Sequence, residues 1–172
     1  MGAISKIQWT DRTWNPVRGC AIVSPGCVNC YAMKQAHRFS GPGRAYEGLT
    51  KQTKAGPQWT GKVRTVAESL SEPSSWRKSS RVFVNSMSDL FHEDVPELFI
   101  AKVFAVMAMT RRHTFQILTK RPERMERVVS ALEPLHTASD GSGWPLPNVW
   151  LGVSCEDQQR ADERIPLLLQ TP

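Results

Sequence analysis

Apolar and polar positions follow two regimes along this chain, and the change comes near Arg81. From there the pattern is regular. Residues 81–85 (Arg-Val-Phe-Val-Asn) form a short apolar run of β-formers, which predicts a buried strand. Acids and a proline at 93–97 read as a helix start, and Phe99, Val103, Val106 and Met107 then recur at helical spacing. Residues 114–119 predict a second strand. Arg121-Pro122-Glu123 opens a second helix through Met125, Val128, Val129 and Leu132. A Gly/Ser/Pro loop at 138–147 leads to a third strand at 148–153. A third helix at 157–169 carries Ile165, Leu167 and Leu168, with Pro166 placed to kink or end it. Before Arg81, Gly, Pro, Ser, Thr and Trp are frequent and periodicity is poor. Gly41-Pro42-Gly43, Gly56-Pro57 and residues 69–80 read as loops. One helix is predicted there, over 27–39 behind Ser24-Pro25-Gly26, together with an early strand near 13–17.

Strands alternating with helices, the strands apolar throughout, mean parallel βα units and an α/β fold. Right-handed crossovers build such units into an open sheet or a barrel. Three units and one early strand are too few to close an eight-unit barrel of ~250 residues. The expectation is therefore one domain over 1–172: a partial, open βα barrel of parallel strands with an irregular, cysteine-bearing N-terminal part (1–81) and a regular part (82–172). A parallel sheet is expected to be covered on both faces. Strand 148–153 then wants a neighbour on each side. The side away from 114–119 is expected to be bare around Trp150 and to promote association.

Composition narrows the classes. At 172 residues, 40% hydrophobic and 22% charged, the chain has the apolar content of a folded domain rather than a disordered one. No apolar run approaches the ~20 residues of a membrane span. The N-terminus has no apolar signal region, which points to the cytoplasm and to cysteines used as ligands or free thiols rather than disulfides. The net charge of +6 is uneven: residues 1–81 hold 13 Lys/Arg against 4 Asp/Glu, residues 82–172 hold 9 against 12. A basic half suits an anionic partner such as nucleic acid, or is a solvated basic surface.

The sharpest chemical signal is Cys20-x6-Cys27-x2-Cys30, with Gly19 and Pro25-Gly26 allowing tight turns. Three readings fit it. Three thiolates could hold a [4Fe–4S] cluster with one open iron, the arrangement that radical chemistry with S-adenosylmethionine uses. They could hold zinc, completed by His37 or Cys155. They could also be buried thiols. The four histidines (37, 92, 113, 136) show no H-x-x-x-H spacing. A second constellation lies after the predicted strands, where parallel α/β folds gather ligand groups: Asn85, Ser86, Ser88, Asp89, His92 and Glu93, then Thr119, Lys120 and Arg121, then Ser154, Glu156, Asp157 and Gln158. Each alone would serve as a loop or cap residue, but three strand ends in register suggest a functional rim. Trp9, Trp14 and Tyr31 could stack on bases, although the two tryptophans suit packing over the cysteine loop.

Trp9-Thr10, Thr13-Trp14-Asn15-Pro16, Gly19-Cys20 and the run from Val23 through Cys27-Val28-Asn29-Cys30 to Ala32 resemble the opening of the three-Cys-motif phage protein family, which is regarded as radical-SAM-like. The runs 85–92, 118–122, 151–154 and 156–158 resemble its later blocks. The resemblance implies a cluster on Cys20, Cys27 and Cys30, S-adenosylmethionine as cofactor and a phage-related role beside a partner protein encoded nearby. It also implies further strands, with a Gly-Gly-Glu block, beyond Pro172. Two features depart from the family pattern of radical-SAM enzymes: the first gap is six residues rather than three, and the aromatic Tyr31 follows the last cysteine instead of preceding it. On this reading Ser86, Ser88 and Asp89 meet the cofactor's amino group or the substrate, Lys120 or Arg121 its carboxylate, and Glu156 its ribose hydroxyls. The substrate would be a nucleic acid or a nucleotide. The alternative is a zinc-stabilised, basic nucleic-acid-binding module without catalysis.

Overall fold

The computed structural model describes residues 5–137 and 143–172. The chain opens with two short strands, β1 (Arg12–Trp14) and β2 (Val17–Arg18). A 3-10 turn at Pro25–Cys27 then leads into helix α1 (Tyr31–His37). This helix is shorter than the 27–39 expected, because Cys30 sits extended at its N-cap and the chain turns tightly behind Pro25. Next come a hairpin, β3 (Thr50–Thr53) and β4 (Gly56–Trp59), the short strand β5 (Arg64–Thr65) and a helical turn α2 (Glu72–Ser75). The hairpin lies where the sequence predicted only loops. The regular part follows as β6 (Arg81–Val84), α3 (Glu97–Met109), β7 (Thr114–Thr119), α4 (Pro122–Thr137), β8 (Val149–Val153) and α5 (Gln158–Gln170). The predicted loop at 138–147 lies partly outside the described residues.

Four strands form one parallel sheet in the order β1-β6-β7-β8. The expected early strand is thus real and is the fourth member. The order never reverses, so right-handed crossovers carry α3, α4 and α5 to the same side. That side holds the main core. Val82, Val84, Phe115 and Ile117 point into it from the strands, Ile100, Val103, Phe104 and Met107 from α3, and Met125, Val128 and Val129 from α4. Trp14 is fully buried in the same core, 5.8 Å from Phe115, with its indole N–H donated to the Ser69 carbonyl at 2.8 Å. It packs under the sheet, not over the cysteine loop as the sequence suggested.

The opposite face is open, which corrects the expectation of a sheet covered on both sides. Phe83 and Gln116 are half-buried there, and Leu118 and Trp150 are exposed. The outer edge of β8 has no partner strand among the described residues. A second, smaller core joins α1 to the hairpin through Ala32, Met33, Ala36, Tyr46, Leu49 and Trp59. Cys20, Cys30 and Met87 pack against it, so this basic lobe abuts the cysteine segment.

No helix among the described residues is long and apolar enough to cross a membrane. At the start of α5, Asp157 caps the helix by accepting the Arg160 N–H at 2.8 Å. Asp157→Ala should lower the unfolding free energy by about 1 kcal/mol, as N-cap removal does. Urea denaturation checks this, and an unchanged midpoint would mean the cap contributes nothing.

Candidate functional site

The carboxyl ends of β6 and β7 meet the cysteine segment around a cavity of about 550 Å³. Cys20, Cys27 and Cys30 all line it, and so do Ser86, Ser88, Asp89, Lys120 and Arg121. Eight of the nine residues assigned from sequence to the cluster and its cofactor therefore line one cavity. Glu156 is not among the lining residues.

Local geometry explains the convergence. Gly19 (φ +88°) and Ser88 form a parallel bridge that ties the cysteine segment to the loop after β6. Ser88 Oγ donates to the Val17 carbonyl at 2.7 Å. Asn85 ends β6 in the left-handed region at φ +56°, a conformation asparagine tolerates better than most residues. Its N–H donates to the Trp14 carbonyl at 2.7 Å, and its side-chain Oδ1 accepts the Val17 N–H at 3.4 Å. Asn15 Oδ1 accepts from Met87 N–H at 3.0 Å and from Ser86 Oγ at 3.3 Å. Tyr31 crosses from the start of α1 to donate its hydroxyl to the Ser86 carbonyl at 2.5 Å. β1 and α1 thus clamp the loop after β6 from both sides.

The charged part of the wall is an ion-pair system with Arg121 and Asp89 buried and Glu93 exposed at its outer end. Arg121 Nη1 donates to Asp89 at 3.0 Å and its Nε to Glu93 at 2.9 Å. Asp89 also accepts from Thr119 Oγ1 at 2.8 Å, Phe91 N–H at 3.0 Å and Lys120 N–H at 3.2 Å. Burial works against the Arg121 charge, but Asp89, Cys20 and Glu93 outweigh it and hold the guanidinium more firmly protonated than usual. Two buried donors on this wall, Arg121 Nη2 and Asn85 Nδ2, have no hydrogen-bond partner. Such orphans mark a place where a ligand's acceptor would be welcome.

The three thiols are free and partly buried. Burial, aided by the Asp89 charge and opposed by Arg121, pushes the Cys20 thiol up to about 12. A metal or cluster binding there must therefore displace a proton. Ser24 Oγ lies 3.9 Å from Cys27 Sγ. Among the described residues, no three His, Cys, Asp or Glu side chains are gathered closely enough to hold one metal ion. The zinc completions expected from sequence lie elsewhere: His37 is in the lobe, 3.0 Å from Thr50 Oγ1, and Cys155 is exposed; neither lines the cavity.

Glu156 stands behind the cysteine loop. Its Oε1 accepts the Gly26 N–H at 3.4 Å, and its Oε2 accepts from Arg164 Nη1 at 2.9 Å. A β-carbon on Gly26 would meet the Glu156 carboxyl carbon at 2.8 Å, so glycine is what lets the loop lie against it. Burial pushes the Glu156 carboxyl up, but the Ser24 hydroxyl, Arg164 and Lys120 outweigh that and keep it below the usual range. This carboxylate ties α5 to the cysteine loop. Arg164, itself buried, completes the tie, and nothing in the sequence singled it out. Of the other residues missed from sequence, Phe83 and Leu118 line the cavity, and Gln116 lines the open face beside it. The signal for Gln116 and Leu118 was the alternation within 114–119, read there as continuous burial.

No curated protein and no solved structure matches the chain. One family model covers residues 4–172, so both the cysteine segment and the βα units fall within it. The chain belongs to that family, described as a protein of unknown function (DUF5131).

Proposed function

We propose that this protein is an iron–sulfur enzyme of radical-SAM type, with its cluster on Cys20, Cys27 and Cys30 at the carboxyl rim of an open βα sheet. One observation carries the reading: three cysteines from the N-terminal segment share a cavity wall with Ser86, Ser88, Asp89, Lys120 and Arg121 from two strand ends. The donor set supports a cluster over zinc. Cluster thiolates each bind a different iron and need not crowd round one point, whereas structural zinc requires four ligands at one ion. Among the described residues no fourth cysteine or histidine lines the cavity, and its one carboxylate, Asp89, is already engaged by Arg121 and Thr119, which suits a cluster with an open iron.

Such a cluster supplies an electron and an open coordination site to a bound S-adenosylmethionine. The chain's own residues do the rest. Arg121, fixed by Asp89 and Glu93, and its neighbour Lys120 offer cationic donors for a ligand carboxylate. Asn85 Nδ2 offers a neutral donor on the same wall. Ser86 and Ser88 keep their hydroxyls on Asn15 and the Val17 carbonyl, which shapes the wall the ligand meets. Cys20 is enclosed beside Arg121, and that guanidinium would offset the charge the thiol takes on when it ligates.

Anaerobic reconstitution tests this. The protein should take up about four irons per chain and absorb broadly in the visible. Cys27→Ala should abolish uptake, while Cys155→Ala should leave it intact. A colourless protein holding zinc, or equal loss from both substitutions, would overturn the cluster assignment.

A further inference from the structure

We infer that the substrate of this site is a single-stranded nucleic acid, its backbone held by the lobe of α1 and the β3–β4 hairpin and one base seated on the open face of the sheet. This rests on the proposed function for the chemistry, but its supports are two separate features on either side of the cavity.

The first is the lobe. Residues 31–65 contain seven Lys/Arg and one acid, Glu47. All seven cations are exposed, and none of them forms an ion pair among the described residues. Glu47 offsets one of the seven charges and leaves the unit at a net +6. Elsewhere Arg81, Arg127 and Arg160 are each matched to a carboxylate, and the exposed cations that form no ion pair among the described residues, such as Arg77, Lys78, Lys102 and Arg111, lie outside this unit. Unmatched cations concentrated on one small folded unit are the electrostatic footprint of a polyphosphate backbone. The lobe's core packs directly on Cys20 and Cys30, so a strand lying on it passes the cavity.

The second is the open face. Strand register places Phe83, Gln116 and Trp150 in one cross-strand row. Interstrand spacing of about 4.8 Å puts Phe83 and Trp150 roughly 10 Å apart with Gln116 between them. Trp9 packs over Phe83 at 4.8 Å between ring centroids, so both ends of the row are aromatic. Gln116 Nε2 donates to the Trp9 carbonyl at 3.4 Å, which orients the amide and leaves its Oε1 without a partner in an otherwise apolar groove. An unpaired acceptor between aromatic walls suits a flat ring that carries N–H donors, as nucleobases do. Trp9 and Leu118 line both this groove and the cysteine cavity, so a base seated here lies beside the proposed chemistry. Phosphate-matching cations on one side and a stacking platform with one polar reader on the other are the two halves of single-strand recognition.

The test is fluorescence anisotropy of the 172-residue protein with labelled single strands of about 12 nucleotides, across a series of KCl concentrations. Binding should weaken as salt rises. Lys51→Gln with Lys54→Gln should make the log–log salt slope shallower by about 1.4, the share of two backbone contacts on a single strand. Trp150→Ala removes an exposed wall, and should cost roughly tenfold in affinity with the slope unchanged. Gln116→Leu should alter the preference among homopolymers. Equal affinity for duplex, full displacement by polyglutamate of matched charge, or no effect of Trp150→Ala would overturn the inference. Iron uptake is measured on the same proteins. Normal uptake without strand binding overturns this inference alone, and strand binding without uptake overturns the cluster reading instead.

Discussion

Arg121→Met should destabilise the fold by about 3–5 kcal/mol, because it strands a buried carboxylate. The Arg121 and Asp89 side chains are 5% and 8% exposed, and their contact is 3.0 Å. Methionine keeps most of the volume, so the loss reports charge rather than a void. Asp89 would retain its bonds from Thr119, Lys120 and Phe91, which keeps the cost from rising further. Adding Asp89→Asn removes the stranded charge and should recover part of the loss. Urea unfolding of the two single variants and the double variant measures this coupling. Additive effects would show that the two groups do not act as a pair. The pair also fixes the wall of the cavity: Asp89 comes from the loop after β6 and Arg121 from the end of β7. If Arg121 meets a ligand carboxylate, the double variant should stay folded yet bind S-adenosylmethionine poorly in calorimetry.

The regular half of the fold was legible because its strands and helices announce themselves locally. Val82, Val84, Phe115 and Ile117 sit in short β-forming runs, and α3 and α4 carry apolar residues at helical spacing. The rim followed from topology alone, since parallel strands bring their carboxyl ends together whatever their order. Which face is covered was not legible. It depends on strand order, and local sequence does not encode that order. A monotonic order puts α3, α4 and α5 on one side and leaves Leu118 and Trp150 in the open, where their apolar character had read as burial. The lobe was missed for another reason. Its strands, Thr50–Thr53 and Gly56–Trp59, are polar apart from Trp59, and its core is assembled from residues as far apart as Ala32 and Trp59. Glu156 shows the limit of positional reasoning. It lies just beyond a strand end as expected, yet its carboxylate faces Arg164 and Gly26. A residue's place after a strand does not fix the direction of its side chain.

Gly19→Ala should cost about 2–5 kcal/mol and also remove iron uptake, although residue 19 carries no ligand atom. Two penalties act together. The backbone at φ +88° lies where an L side chain is strained. A β-carbon would also stand 2.2 Å from the Lys62 carbonyl oxygen and 3.2 Å from the Val63 α-carbon. Both of those are main-chain atoms, so no side chain can swing aside, and the segment at 62–63 or the cysteine segment itself must shift. The bridge from Gly19 to Ser88 aligns the two walls of the cavity, and Cys20 is the next residue. The same shift therefore moves the Cys20 thiol relative to Cys27 and Cys30. The β-carbon would also meet Leu49 of the small core at 3.3 Å, and the main core is reached here only through the partly buried Val63 at its margin. The variant should keep its far-ultraviolet circular dichroism while losing visible absorption after reconstitution. Gly43→Ala is the matched control. It is also at positive φ (+72°), but nothing lies within 4 Å of its β-carbon. It should lose only the backbone part, about 1–2 kcal/mol, and load iron normally. Equal iron uptake by the two variants would show that the cysteine segment can form its site without the close approach at Gly19.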